Sequence, residues 1–295
     1  MKRVLILGGN GMLGSMVKQV LSKSDGCEVV YSCREQCSNS FSFDIEDGVS
    51  RLKEILIDIG PFDYVINCIG LLNSLINEQD SQTVQRAILV NALFPHELAG
   101  MTQTIGARVI HISTDGVFSG NAAYCDEDSP CDCDDVYGKT KNLGEVFAPN
   151  FLTLRCSIVG PNSNKKQGLL EWLRNQTQKA EIKGYINHKW NGVTTLQFGS
   201  LCQQLITKDL FDEVRKEAPL HHFCPNKPVT KYELLKMFGK AFRPDIVVKP
   251  SESPNGSVSR ILKTRYNSIK SLFGYDISMG NAVDELSIEM EVHNQ

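Results

Sequence analysis

Long apolar runs and a surplus of positive charge are both missing from this 295-residue chain, and each absence removes a class of function. No stretch approaches the roughly 20 apolar residues needed to cross a bilayer, so no membrane partner is expected. The formal net charge is −3, and no basic stripe runs along the sequence. A surface that coats nucleic acid carries a Lys/Arg excess, so nucleic acid is not an expected partner either. The first strand begins almost at Met1 and runs straight into glycines, which leaves no room for a signal peptide and points to the cytoplasm. Cysteine is plentiful, at ten residues, but in a reducing compartment these are expected to be free, packed thiols. Cys125, Cys131 and Cys133 cluster in an acidic loop without Cys-x-x-Cys spacing or a nearby His, so no metal site is expected.

What is present is a regular alternation of short apolar strands and amphipathic helices. Residues 3–7 form a strand, Gly8-Gly9-Asn10-Gly11-Met12-Leu13-Gly14 a turn, and Leu13, Met16, Val17, Val20 and Leu21 recur at helical spacing. Glu28–Ser32 supplies a second strand, and Tyr64–Cys68, Arg108–Ile112 and Phe151–Ile158 supply further ones. The pattern predicts an α/β protein with a doubly wound parallel sheet of the Rossmann kind. Residues 1–160 should form the dinucleotide-binding part. Residues 161–295 should be mainly a smaller C-terminal substrate-binding lobe, with helical stretches at Leu196–Ile206 and Tyr232–Phe242 and at least one segment returning to the sheet. The last fifteen or so residues look polar enough to fray.

Glycines at 8, 11 and 14 between a strand and a helix have separate uses: a tight turn, close approach to a pyrophosphate, and close packing of helix on strand. The first helical turn, with Asn10, Met12 and Leu13, would then present N–H groups to phosphate. The second strand ends in Ser32-Cys33-Arg34, where an NAD-preferring site would carry an acidic residue. A guanidinium there suits a 2′-phosphate, which favours NADP(H).

Tyr137 and Lys141 stand four apart in Tyr137-Gly138-Lys139-Thr140-Lys141 and share one helical face. A neighbouring ammonium would bring the phenol closer to working range for proton transfer. Upstream, a strand delivers Ser113-Thr114-Asp115 at its C-terminal end, where open α/β sheets bind ligands. Ser113 falls on the cofactor side, while Thr114 and Asp115 fall toward the substrate. His111, inside that strand, reads as a packed histidine.

With these residues in view, the chain resembles the extended short-chain dehydrogenase/reductase family and, within it, the dTDP-4-dehydrorhamnose reductase branch. The glycine loop, Phe43-Asp44-Ile45, residues 65–70, Val90-Asn91-Ala92, residues 111–120, residues 137–141 and residues 154–160 carry the resemblance in the family's order. It implies that Thr114 orients a carbonyl, Tyr137 donates a proton and Lys141 is its electrostatic partner. Asp44 and Ile45 would meet the adenine, Cys68-Ile69-Gly70 would underlie the adenosine ribose and pyrophosphate, and Asn91 would support the catalytic helix. The chain departs from the branch at Gly116, which usually is aromatic, and at Ile158, which usually is a Trp facing the sugar.

The activity so implied is NADPH-dependent reduction of the C4 keto group of a nucleotide-linked deoxysugar. Candidate substrate contacts are Arg155, Ser157, Lys189, Trp190, Asn191 and Arg260, alongside Thr114 and Asp115. Two alternatives stay open: a nucleotide-sugar epimerase, and a non-catalytic NADP-binding subunit similar to the regulatory subunit of methionine adenosyltransferase. A homodimer is compatible with the sequence.

Overall fold

The computed structural model describes residues 1–34, 40–162 and 167–293. Glu35, which follows the Arg34 candidate, lies outside them.

The first half follows the predicted alternation. Strand β1 (Lys2–Leu7) leads into helix α1 (Met12–Ser22), then β2 (Cys27–Cys33), a short β3 (Ser40–Ser42), α2 (Ser50–Asp58) and β4 (Tyr64–Asn67). Helix α3 (Ser81–Ala87) runs through a π-helical segment (Ile88–Leu93) into α4 (Phe94–Thr104), followed by β5 (Arg108–Ser113), α5 (Val136–Leu143) and β6 (Phe151–Arg155). These strands pair in parallel. Alternate residues of β1 serve opposite faces: Val4 and Ile6 enter one apolar layer with α1, Leu5 and Leu7 enter the other with α2 and α4. Burial on both faces explains why the strands read as nearly unbroken apolar runs.

The predicted strand over Phe151–Ile158 is two strands. β6 stops at Arg155, and β7 (Ile158–Val159) leaves the main sheet to pair with β10 (Val193–Thr194). The break lies at Cys156-Ser157, where the Ser157 carbonyl accepts from Val193 N at 2.8 Å.

Between and beyond them come α6 (Leu169–Arg174), β8 (Glu181–Tyr185), β9 (His188–Trp190), α7 (Thr195–Thr207), α8 (Phe211–Glu217), β11 (Leu220–His222), β12 (Val229–Thr230), α9 (Lys231–Phe242), β13 (Val247–Ser251), β14 (Val258–Arg260), α10 (Ser268–Phe273) and α11 (Met279–His293). The returning segment is β11, which pairs with β6 and makes the main sheet seven-stranded in the order β11-β6-β5-β4-β1-β2-β3. Its sequence, Leu-His-His, shows no apolar run, because both His221 and His222 are buried and bonded to backbone carbonyls. Helices α7 and α9 both begin at capping boxes, Thr194 with Gln197 and Thr230 with Glu233, which satisfy otherwise orphan N–H groups at the helix start.

Up to His293, the last of the described residues, the chain does not fray as expected but forms α11. Met279, Ala282, Val283 and Leu286 recur at helical spacing and are buried with Trp190, Leu234 and Phe238 in the core of the C-terminal lobe. A polar composition concealed an amphipathic stripe.

Candidate functional site

The glycine turn is built as its spacing requires. Gly8 has φ +79°, a conformation that costs other residues steric strain. A Cβ on Gly14 would collide with the Gly8 carbonyl oxygen. Gly11 is the N-cap of α1 and supplies no side-chain cap, so no N-cap side chain occupies the first-turn N–H groups of Met12 and Leu13, the kind of group that can donate to an anion. Gly9 is tight for a different reason: a Cβ there would meet the Tyr31 ring at 2.7 Å.

Other candidates gather around this turn. A Cβ on Gly8 would lie 3.0 Å from Ile69 Cγ1 and 3.5 Å from the Cys68 carbonyl, so residues 68–70 form the opposite lip. That lip is pinned at both ends by buried asparagines. Asn67 Oδ1 accepts from Ile69 N at 3.1 Å, while its amide nitrogen bonds His111 Nδ1 at 3.1 Å. Asn91, in the π-helical segment, accepts from Leu71 N at 2.8 Å and donates to Leu71 O at 3.0 Å and Thr140 Oγ1 at 3.4 Å. Asn91 thus ties the lip to α5. At the far end, Arg34 Nε pairs with Asp44 Oδ2 at 2.9 Å with 57% of the arginine side chain exposed. Asp44 also caps the short 3₁₀ turn that begins at Ile45, accepting from Glu46 N.

Helix α5 starts at Asp135, whose carboxylate accepts from Gly138 N at 2.6 Å. This puts Tyr137 and Lys141 in its first two turns, against the turn that follows β5. Thr114 is buried; its Oγ1 accepts from Gly116 N at 3.0 Å and lies 3.2 Å from Asp115 Oδ1. A Cβ on Gly116 would sit 3.0 Å from Tyr137 Cε1 and 3.2 Å from Thr114 Oγ1. An aromatic residue at 116 would therefore need a different Tyr137 placement.

The electrostatics differ from the expected phenol–ammonium pairing. Burial pushes Tyr137 up to about 12, opposed by a hydrogen bond with Thr114 and reinforced by Asp115. Burial pulls Lys141 down to about 8, opposed by Glu145 and Cys156. Lys141 Nζ donates to Ile112 O at 2.8 Å, one of its three donors, which fixes the ammonium at the end of β5. The arrangement holds Tyr137 protonated at neutral pH, as a proton donor must be.

On the sugar side the candidates divide. Asp115 is buried and raised by burial, against Arg260 and hydrogen bonds from Thr114 and Ser157. Arg260 Nη1 donates to the carbonyls of Asp115 and Phe118. These residues and Ser157 meet at the crevice. Lys189 is exposed on β9, opposite Thr230 and Ser259.

Three others are committed elsewhere. Asn191 bonds both the N–H and the carbonyl of Leu262, each at 2.8 Å. Trp190 is 6% exposed and packs in the lobe core. Arg155 forms a buried fork onto Glu145, with Nε and Nη2 both at 2.6 Å. Ser113 also turns away from the crevice and donates to Glu145 at 2.6 Å.

Two residues escaped the sequence reading. Lys231, at the start of α9, feels both Asp115 and Arg260 and is lowered mainly by burial. Glu145 stands four residues beyond Lys141, a spacing that could have marked it.

A protein-family model described as RmlD substrate binding domain matches residues 1–255. The chain belongs to this family. Among curated relatives, the spore coat polysaccharide biosynthesis protein SpsK of Bacillus subtilis is 29% identical over 218 residues, covering 73% of this chain and 69% of that protein. The methionine adenosyltransferase 2 subunit beta of Xenopus tropicalis is 26% identical over 268 residues, covering 88% and 78%. Among solved structures, a dTDP-4-dehydrorhamnose reductase from Clostridium acetobutylicum superposes with a TM-score of 0.73 at 21% identity, covering 99% of this chain and 100% of that one. The RmlD-type fold therefore extends over the whole chain, including the lobe beyond residue 160.

Proposed function

We propose that this RmlD-family protein is an NADPH-dependent oxidoreductase that reduces the C4 keto group of a nucleotide-linked deoxysugar. The observation that supports the reading is that Thr114 and Tyr137 both line the space at Gly116 while Lys141, one helical turn on, reaches the Ile112 carbonyl in β5. The residues fit the cofactor: Gly8, Gly11 and Gly14 leave a backbone cradle for pyrophosphate, with Asn10, Met12 and Leu13 in the same turn. Residues 68–70 and Asn91 form its other wall. Arg34, held by Asp44, stands where a 2′-phosphate would lie, and Ile45 follows at the adenine end. A solved dTDP-4-dehydrorhamnose reductase from Bacillus anthracis, described as a complex with NADP, has a TM-score of 0.73 to this chain.

Held by the glycine turn and residues 68–70, NADPH would supply the hydride. Thr114 orients the carbonyl, and Tyr137 gives its phenolic proton to the oxygen as the alcohol forms. Lys141, charged below about pH 8, favours the phenolate that remains and holds the nicotinamide ribose. Asp115, Ser157, Arg260 and Lys189 would contact the sugar nucleotide, with residues 161–295 contributing Lys189 and Arg260 as the substrate lobe. The product would feed glycan or polysaccharide synthesis in the cytoplasm.

The test is loss of NADPH absorbance with a panel of nucleotide 4-keto sugars. Turnover of one of them, with formation of the alcohol, is expected. Tight NADPH binding with no turnover on any would favour a regulatory subunit instead, a reading supported by the 26% identity to methionine adenosyltransferase 2 subunit beta. Interconversion of sugar epimers without net NADPH loss would mark an epimerase.

A further inference from the structure

Behind the catalytic turn lies a set of buried polar side chains that the reduction leaves unused. Glu145 Oε1 accepts from Ser113 Oγ and Arg155 Nε, and Oε2 accepts from Arg155 Nη2, all at 2.6 Å. The two charged side chains are 2% and 6% exposed. Arg155 uses its remaining capacity on other elements: Nη1 lies 3.4 Å from His222 Nε2, Nη2 lies 3.3 Å from Cys131 Sγ, and the guanidinium sits 5.3 Å from the centre of the Phe118 ring. His222 Nδ1 is 2.8 Å from Lys263 O. A carbonyl can only accept, so Nδ1 carries the proton and Nε2 is left to accept from Arg155. Burial lowers His222 to about 4, which keeps the ring neutral.

These contacts close a circuit. From Ser113 the chain runs through Thr114 to the Asp115 and Phe118 carbonyls, which accept from Arg260. Residues 260–263 lead to Lys263 O, then His222, Arg155 and Glu145 return to Ser113. Glu127 fastens the outer side, accepting from His222 N at 2.8 Å, Thr264 Oγ1 at 2.6 Å and Arg265 N at 3.0 Å.

We propose that Glu145 and Arg155 are positioning residues: their buried pair closes this circuit and holds the Thr114 turn simultaneously against β5 and against the segment that carries Arg260. A buried ion pair is poor evidence of stabilisation in itself, since two desolvated charges often do no better than apolar side chains of equal volume. Here the carboxylate takes three donors from two strands, and the planar fork fixes direction as well as distance. Glu145 is also the main charge that opposes the burial of Lys141, with Cys156 next; Arg155 in turn is faced by Glu145, Cys131 and Glu127. The consequence for turnover rests on the reductase reading, whereas the brace rests on geometry alone.

The experiment compares Glu145→Gln and Arg155→Lys with the native protein in three readouts. The first is the titration midpoint of Lys141 by NMR of ¹³C-labelled lysine, with the signal assigned by its loss in Lys141→Arg. The second is amide exchange over residues 114–118 and 260–263, and the third is kcat with NADPH and a nucleotide 4-keto sugar. Glu145→Gln should lower the Lys141 midpoint by about one unit and reduce kcat on the order of tenfold to a hundredfold. Arg155→Lys keeps a cation but loses the fork, so exchange should quicken in both segments and kcat should fall while the midpoint holds.

If Glu145→Gln does not fold, Glu145→Asp replaces it: the charge stays but the shorter side chain loses the fork, so exchange should quicken and kcat should fall while the Lys141 midpoint holds. Native midpoint, exchange and kcat in both variants would overturn the proposal, as would lost thermal stability with all three unchanged. If the native protein reduces no sugar, the reductase reading fails by itself, and the exchange and midpoint measurements still decide the brace.

Discussion

The two sides of the crevice are made of different material. On the β1–α1 side the surface is backbone: Gly8, Gly11 and Gly14 withdraw their side chains, and the lip at residues 68–70 is positioned through main-chain hydrogen bonds to Asn67 and Asn91. On the side where the sugar is proposed to bind the surface is side chain, from Asp115, Ser157 and Arg260, gathered from the ends of β5, β6 and β14. The first construction is local in the chain and tolerates almost no added atom. The second is assembled across 145 residues, from Asp115 to Arg260, and depends on a network behind it. A backbone cradle suits a ligand that never varies, such as a pyrophosphate. A side-chain wall suits one that differs from enzyme to enzyme, such as a sugar.

The contrast can be broken at the point where the two sides meet. Tyr137→Phe keeps the ring against Gly116 and deletes only the proton donor, so turnover should fall by on the order of 10²–10⁴ with NADPH affinity and folding kept. Steady-state kinetics with binding by fluorescence quenching would show it. A native rate in this variant removes Tyr137 from the chemistry.

A smaller effect is expected on the backbone side. Gly14→Ala forces a methyl group against the Gly8 carbonyl, which should cost about 1–3 kcal/mol of stability and weaken NADPH binding, both readable by thermal unfolding with and without cofactor. Tolerance of alanine with native affinity would show that the cradle is looser than its geometry.

The third change is at the exposed end and acts on selectivity rather than on stability. Arg34→Asp sets a second carboxylate beside Asp44 and should narrow or reverse the preference for NADPH over NADH, by roughly 1.5–3 kcal/mol for a lost charge-assisted contact. Equal affinities for the two cofactors in the native protein would contradict the role given to Arg34.

How much of this was legible follows the same division. The glycine turn, β1, β4, β5 and the Tyr137–Lys141 spacing are each encoded within a few residues, and the periodicities of strand and helix expose them directly. Ser113 and Arg155 both bond Glu145, which becomes their neighbour only after β5, β6 and α5 have packed, so spacing does not show the contact. Asn191 is bonded to Leu262, distant in sequence, and Trp190 fills a core shared with α9 and α11, contacts equally hidden in the sequence. Strand β11 was invisible because two buried histidines take the place of an apolar run. Lys231 could have been noticed beside the Thr230 cap, but nothing in its surroundings marks it as close to Asp115.

The late arrival of β11 and α7 also bears on synthesis at the ribosome. Helix α7 packs on α1, and the layer beneath it joins Val4, Val17 and Ile66 to Phe198, Leu201 and Phe223. A nascent chain that has reached only residue 160 holds Thr114, Tyr137 and Lys141, yet it lacks α7 to cover that apolar layer and β11 to pair with the edge of β6. Such an edge is a template for joining a second chain. The final 135 residues therefore cover that layer with α7 and replace the long β6 edge by the three-residue strand β11, and short edges are poorer templates.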